Sequence, residues 1–135
     1  MVDASVSAAW FLSDEATPYT EAALEATTDR DIWFPEVWSL EICNLLLSAQ
    51  RRRRIDDAKC RQLVARAQAL RVRVDHEAVT MATIDELAAR HALSAYDAAY
   101  LELALRRRLP VATADKALLA AMRVSGVENA AFSAS

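Results

Sequence analysis

Short apolar runs alternate along this chain with longer stretches whose apolar residues recur every three or four positions. The short runs, "MV" at 1–2, "DIWF" at 31–34, "RVRV" at 71–74 and "VAT" at 111–113, predict strands. The longer stretches predict helices at 4–12, at 18–26 behind Pro18, at 36–54, at 57–70 capped by Asp56, at about 77–90, at 95–107 behind Ser94, and at 116–123. The tail "VENAAFSAS", residues 127–135, predicts a short edge strand. Strands alternating with helices imply an α/β domain with a mostly parallel sheet. No repeat or linker interrupts the alternation, so the 135 residues are expected to form a single domain, 1–135, whose two-residue first strand is clipped.

Composition narrows the function classes. Apolar residues make up 54% and charged residues 26%, which is a globular balance. Gly126 is the only glycine, and that excludes the dinucleotide-binding loop, the Walker phosphate loop and the G-x-S-x-G elbow, each of which needs several. A net charge of −3 argues against a nucleic-acid coat protein and leaves an enzyme open. Cys43 and Cys60 lack metal-ligand spacing and read as reduced thiols. No membrane-spanning run or basic secretory leader is visible, so a cytoplasmic protein is expected. His76 and His91 show no metal spacing, and Trp10, Phe11, Trp33 and Trp38 read as core or subunit interface.

Four acids stand out, each with a bland alternative. Asp97 shares a helical stripe with Tyr100, Leu101, Ala104 and Arg108, but Ser94 puts it in a capping-box position. Asp3 and Asp115 each precede a helix and read equally well as N-caps. Glu41 has no cap reading: it lies in mid-helix on a face with Val37, Asn44, Leu45 and Ser48. An ionised carboxylate there is costly unless it is paired or bound to metal, and a buried arginine is the competing partner. Ligands of open parallel sheets bind beyond the carboxyl ends of the strands. Asp3 and Asp115 follow strands, and Asp97 starts the helix that leads into "VAT", so a helix carrying Glu41 across that end would bring four carboxylates together. Oxygen-only donors of this kind suit Mg²⁺ or Mn²⁺.

The blocks "VDASV", "PEVWSLEICNLL", "LSAYDAAYLELA" and "TADKAL", in this order, resemble a PIN-domain ribonuclease, most closely the VapC-type toxins of type II toxin–antitoxin systems. The third block is the most distinctive, and the similarity runs nearly end to end. The resemblance implies a PIN-like three-layer α/β fold, a mostly parallel central sheet flanked by helices. It places the family's acidic quartet on Asp3, Glu41, Asp97 and Asp115, with supporting polar residues Ser5, Asn44 and Thr113. It further implies hydrolysis of RNA phosphodiester bonds with one or two Mg²⁺ (or Mn²⁺) ions, a homodimer, and a cognate VapB-like antitoxin that sends a basic side chain toward the acidic pocket. The departures are the clipped first strand and "RRRRI", where such proteins often carry a glycine.

Arg51, Arg52, Arg53 and Arg54 are candidate RNA contacts, as are Arg106, Arg107 and Arg108, although both clusters end helices where cations simply complement the dipole. Two other readings remain open. A receiver-like phosphate-handling domain also places acids at strand ends, but Lys116 directly follows Asp115 instead of lying on a later strand. A catalytically inactive PIN-like interaction module would show no Mg²⁺-linked RNA cleavage.

Overall fold

The structure, a computed structural model, describes residues 1–132. Its helices are α1 (Ala4–Ser7), α2 (Pro18–Glu25), α3 (Val37–Arg51), α4 (Asp57–Ala69), α5 (Met81–His91), α6 (Ala95–Arg107) and α7 (Lys116–Ser125); its strands are β1 (Trp33–Pro35) and β2 (Arg73–Asp75). β1 and β2 pair in parallel, with Phe34 opposite Val74. The remainder of the sheet consists of single parallel bridges, Val2 to Ala112 and Val111 to Asn129. Every pairing is parallel, as the alternation of elements requires, but the strands are shorter than expected. Asp3 caps α1 at once, and Pro35, which has no N–H to donate, closes β1. The C-terminal strand is reduced to the bridge at Asn129, and residues 133–135 of the expected run lie outside the described residues.

Three helices differ from expectation, and the one expected over 36–54 runs only over Val37–Arg51. The run 4–12 is α-helical only over Ala4–Ser7 and tightens to a 3₁₀ turn at Ala8–Trp10. The helix expected from 77 begins at Met81, because the Thr80 hydroxyl accepts the Thr83 N–H at 3.2 Å. Glu77 stays in the loop and meets Arg106 Nη1 at 2.5 Å.

The core gathers where α3 and α6 cover the strands. Phe34 is fully buried, stacked 4.2 Å from Trp38 and edge-on to Trp10 at 6.1 Å. Both indoles are satisfied: Trp10 donates to the Thr20 carbonyl at 2.9 Å and Trp38 to Ser7 Oγ at 3.0 Å. Trp10, Phe11 and Trp38 are therefore core residues, whereas Trp33 is half-exposed beneath the Arg107 guanidinium, 3.9 Å from its ring centre. Cys43 and Cys60 are free thiols. Among the described residues no helix is long and apolar enough to cross a membrane.

With one glycine in the chain, helices must stop on other residues. Arg53 takes φ 59° after α3, Ala92 φ 53° after α5 and Arg108 φ 54° after α6, while Gly126 serves α7. At α3, the Arg54 N–H returns to the Ala49 carbonyl at 2.9 Å and the Arg53 N–H to Gln50 at 3.0 Å. That is the bond pair of a Schellman stop, so Arg53 occupies the left-handed position at which a glycine is usual. Arg53→Gly is accordingly expected to stabilise the fold by about 0.5–1 kcal/mol, since the left-handed region costs a residue with a Cβ more than the added chain freedom of glycine does. Urea unfolding of the two proteins measures it, and an unchanged or lower midpoint would contradict the argument.

Candidate active site

The four acids reach one region from four stretches of chain, and the cap readings of two of them hold literally. Asp3 Oδ1 accepts the Val6 N–H at 3.1 Å at the start of α1, and Asp115 Oδ1 accepts Leu118 N–H at 2.8 Å at the start of α7. Asp97 gives its own backbone N–H to Ser94 Oγ at 3.1 Å in the first turn of α6. Capping and convergence are not alternatives here: Asp3 and Asp115 cap their helices and still lie within reach of the other acids' charges. Asp3 and Asp97 each feel Asp115, Glu41 feels Asp97 and Asp3, and Asp97 feels Asp3.

Asp3 is 2% exposed and its carboxylate is fully held. Ser5 Oγ donates to Oδ1 at 2.7 Å, and the Thr113 hydroxyl donates to Oδ2 in a short contact. Backbone donors fix the direction of both hydroxyls: Ala114 N–H points to Ser5 Oγ and Asp115 N–H to Thr113 Oγ1, each at 3.0 Å. Each oxygen is engaged by an N–H and sends its only proton to Asp3. Ser7, which sequence reasoning overlooked, ties this stretch to the core, since its buried hydroxyl donates to the Asp3 carbonyl and accepts from Trp38, both at 3.0 Å. A serine one turn beyond Asp3 gives no sequence signal for that role.

Glu41 is half-buried on α3, and its partner is not the arginine that competed in the sequence reading. Tyr100 Oη, buried on α6, donates to Glu41 Oε1 at 2.8 Å. The clue was visible in part, because Tyr100 lies on the Asp97 stripe, one turn further along. Asn44 is exposed on the same side of α3 and lines a cavity of about 510 Å³ with Glu41, Ser48, Arg52 and Tyr96.

Electrostatics set this region apart. Burial, opposed by the Ser5, Thr113 and Val6 hydrogen bonds and reinforced by Asp115, holds Asp3 above the usual carboxylate range. Burial also raises Glu41, opposed by Tyr100 and reinforced by Asp97 and Asp3. For Asp97, burial acts with the charges of Asp115 and Asp3 against the Ser94 hydroxyl, and the balance again is upward. Among the described residues no arginine, lysine or histidine forms an ion pair with any of the four. Such a group repels itself unless a cation is present.

The donor set is all carboxylate oxygen, which suits a hard divalent ion. Among the described residues, however, no three acidic, histidine or cysteine side chains stand close enough to hold one ion jointly. The acids are neighbours at Coulombic range and not a closed cage. That suits an ion that keeps much of its water and takes one or two carboxylates directly, as Mg²⁺ does.

The two basic clusters separate. Arg106 binds Asp75, Glu102 and Glu77, and Arg107 binds Asp75, so two of the three arginines at 106–108 are committed within the fold. Arg54 pairs with Asp14 at 2.7 Å. Arg51 and Arg53 line a concavity at the α3–α4 turn, and Arg52 faces the Glu41 side. His76 meets Glu36 and His91 meets Ser125, away from the four acids.

Acids capping helices beyond parallel strands, over a core of this topology, mark a nuclease-type α/β fold. Residues 1–123 match the PIN domain family, and the chain belongs to it. The receiver-like alternative falls with that match. A search of curated proteins finds no match.

Proposed function

We propose that this chain is a Mg²⁺-dependent endoribonuclease, with Mn²⁺ able to substitute, and the toxin of a toxin–antitoxin pair. In this reading it acts in the cytoplasm as a homodimer restrained by a small VapB-like antitoxin, whose basic side chain an acidic pocket suits. The observation that carries the proposal is the meeting of four carboxylates from four segments, none of which is ion-paired to a basic side chain among the described residues. PIN-family membership supports the nuclease class.

One or two of Asp3, Glu41, Asp97 and Asp115 would hold the ion directly, and the others would meet it through its water. Bound there, the ion would supply an acidified water and neutralise charge on the phosphate and the leaving oxygen. The protein's own part is to keep the oxygens in place. Ser5 and Thr113 fix both oxygens of Asp3, and Tyr100 fixes one of Glu41, each by donating a proton that favours the ionised carboxylate.

The decisive experiment is a melting curve with Mg²⁺, Mn²⁺ or chelator, run beside cleavage of an RNA pool. Mg²⁺ should raise the melting temperature and switch on cleavage, and chelator should reverse both. A protein that melts alike in all three and leaves RNA intact would be the inactive interaction module. Thr113→Val removes one donor from Asp3 while keeping the side chain's shape. Its expected effect is a loss of about 10–100-fold in cleavage rate at fixed Mg²⁺; a rate equal to wild type would remove Thr113 from the site.

A further inference from the structure

We propose that Arg52 and Tyr96 are substrate-positioning residues, which bind a single-stranded RNA segment along α3: Arg52 holds a backbone phosphate and Tyr96 stacks on a base. The proposal deepens the nuclease reading and rests on it for the direction of the track. Glu41, Asn44, Ser48 and Arg52 follow one another at helical spacings of three, four and four, so they form a single stripe. All four line the cavity of about 510 Å³, together with Leu40 and Tyr96. The stripe rises roughly 16 Å from Glu41 to Arg52, which leaves room for a short run of nucleotides between the acids and the guanidinium.

Both proposed contacts on this track are free to act. Arg52 has no carboxylate partner among the described residues, whereas Arg54, Arg106 and Arg107 are all ion-paired. Of the four consecutive arginines it is the one that shares a cavity with a member of the acidic group. Tyr96 is 59% exposed, immediately precedes Asp97, and its hydroxyl makes no hydrogen bond among the described residues. Leu40 beside it is 72% exposed. A single strand offers a phosphate to a cation and an open base face to an aromatic ring, whereas a paired A-form helix keeps its bases stacked inside. The unpaired guanidinium favours RNA over an apolar protein segment as the occupant.

The test compares wild type, Arg52→Gln, Tyr96→Ala, Tyr96→Phe and the surface control Arg66→Gln. Binding of a 12-nucleotide oligo(U) is measured with chelator present across a salt series, and steady-state cleavage is measured with Mg²⁺. Arg52→Gln should weaken binding about tenfold, reduce the salt slope by about 0.7, and raise KM with kcat little changed. Tyr96→Ala should weaken binding by roughly 5- to 100-fold with an unaltered slope, and Tyr96→Phe should restore it. Arg66→Gln should match wild type. If wild type cleaves RNA but Arg52→Gln and Tyr96→Ala bind and cut like Arg66→Gln, the track is wrong and the nuclease reading stands. If the binding differences appear in chelator but no metal supports cleavage, the track stands and the nuclease reading fails. If Tyr96→Ala leaves RNA binding intact and instead changes the sedimentation of the protein, the face is a protein interface and the proposal is overturned.

Discussion

Asp97→Asn is expected to abolish RNA cleavage and, in metal-free buffer at pH 7, to raise the melting temperature. Activity and stability part company because the fold places Asp97 against its own electrostatic interest. Burial first, and then the charges of Asp115 and Asp3, hold its carboxyl above the usual range. A carboxyl whose folded pKa exceeds its unfolded value favours the fold when protonated. That contribution is complete below the unfolded pKa and disappears as the pH rises through the folded one. At neutral pH the ionised side chain is therefore a liability, which asparagine relieves while the N–H donated to Ser94 Oγ remains. Because Asp97 is half-exposed, solvent screening limits the gain to under about 1 kcal/mol, and it should fade as the pH falls through the folded pKa and the wild-type carboxyl takes up its proton. The loss of cleavage should be about 10²–10³-fold or more, the scale on which a group that stabilises transition-state charge acts. Saturating Mg²⁺ should reverse the stability order, adding about 2.7 kcal/mol to wild type at a hundred times Kd and little to the variant. Denaturant melts at pH 7 and pH 4, with and without Mg²⁺, together with an RNA assay, measure all three. A variant that cuts RNA at the wild-type rate would remove Asp97 from the chemistry.

What the sequence displayed of this arrangement follows from which interactions are local. The span Ala95–Arg107 of α6 could be read directly, because Ser94 and the apolar stripe lie within one helix. The parallel pairing followed from the alternation of elements. Glu41 was conspicuous because a mid-helix acid on a half-apolar face has no local use. Its true partner lay 59 positions away in Tyr100, and no local pattern carries that pairing. The cap-or-site question for Asp3 and Asp115 could not be settled along the chain, because the structure answers it with both. One oxygen of Asp115 caps α7, while the charge of the same side chain raises Asp3 and Asp97. The arginine runs were the least legible. Residues adjacent in sequence diverge around a helix end, so Arg52, Arg53 and Arg54 face a cavity, a concavity and Asp14 in turn.

Asp75→Asn is expected to destabilise the fold by about 3 kcal/mol. Asp75 ends β2 with a side chain only 4% exposed. Arg106 grips both its oxygens, at 2.6 Å and 3.2 Å, and Arg107 Nε adds 2.8 Å to Oδ1. Arg106 also reaches Glu102 and Glu77, and Arg107 lies on Trp33, so one carboxylate joins β1, β2 and the last turn of α6. Removing its charge leaves Arg107 without a carboxylate and Arg106 on Glu102 and Glu77 alone, in a half-buried setting, and breaking such a pair costs far more than the pair contributes. The pH dependence is opposite to that of Asp97. Hydrogen bonds from Arg106, then from Arg107, outweigh burial and hold the Asp75 carboxyl below the usual range. Its contribution is present above the unfolded pKa and is lost as the pH falls through the folded one. Urea midpoints of wild type and Asp75→Asn should therefore differ widely from pH 5 to 7 and converge in strong acid. Equal midpoints at pH 7 would mean that the network orders side chains without stabilising the fold. The two ends of α6 thus differ in sign: ion pairs from Arg106 and Arg107 tie its last turn to β2, while its first turn holds Asp97 among like charges.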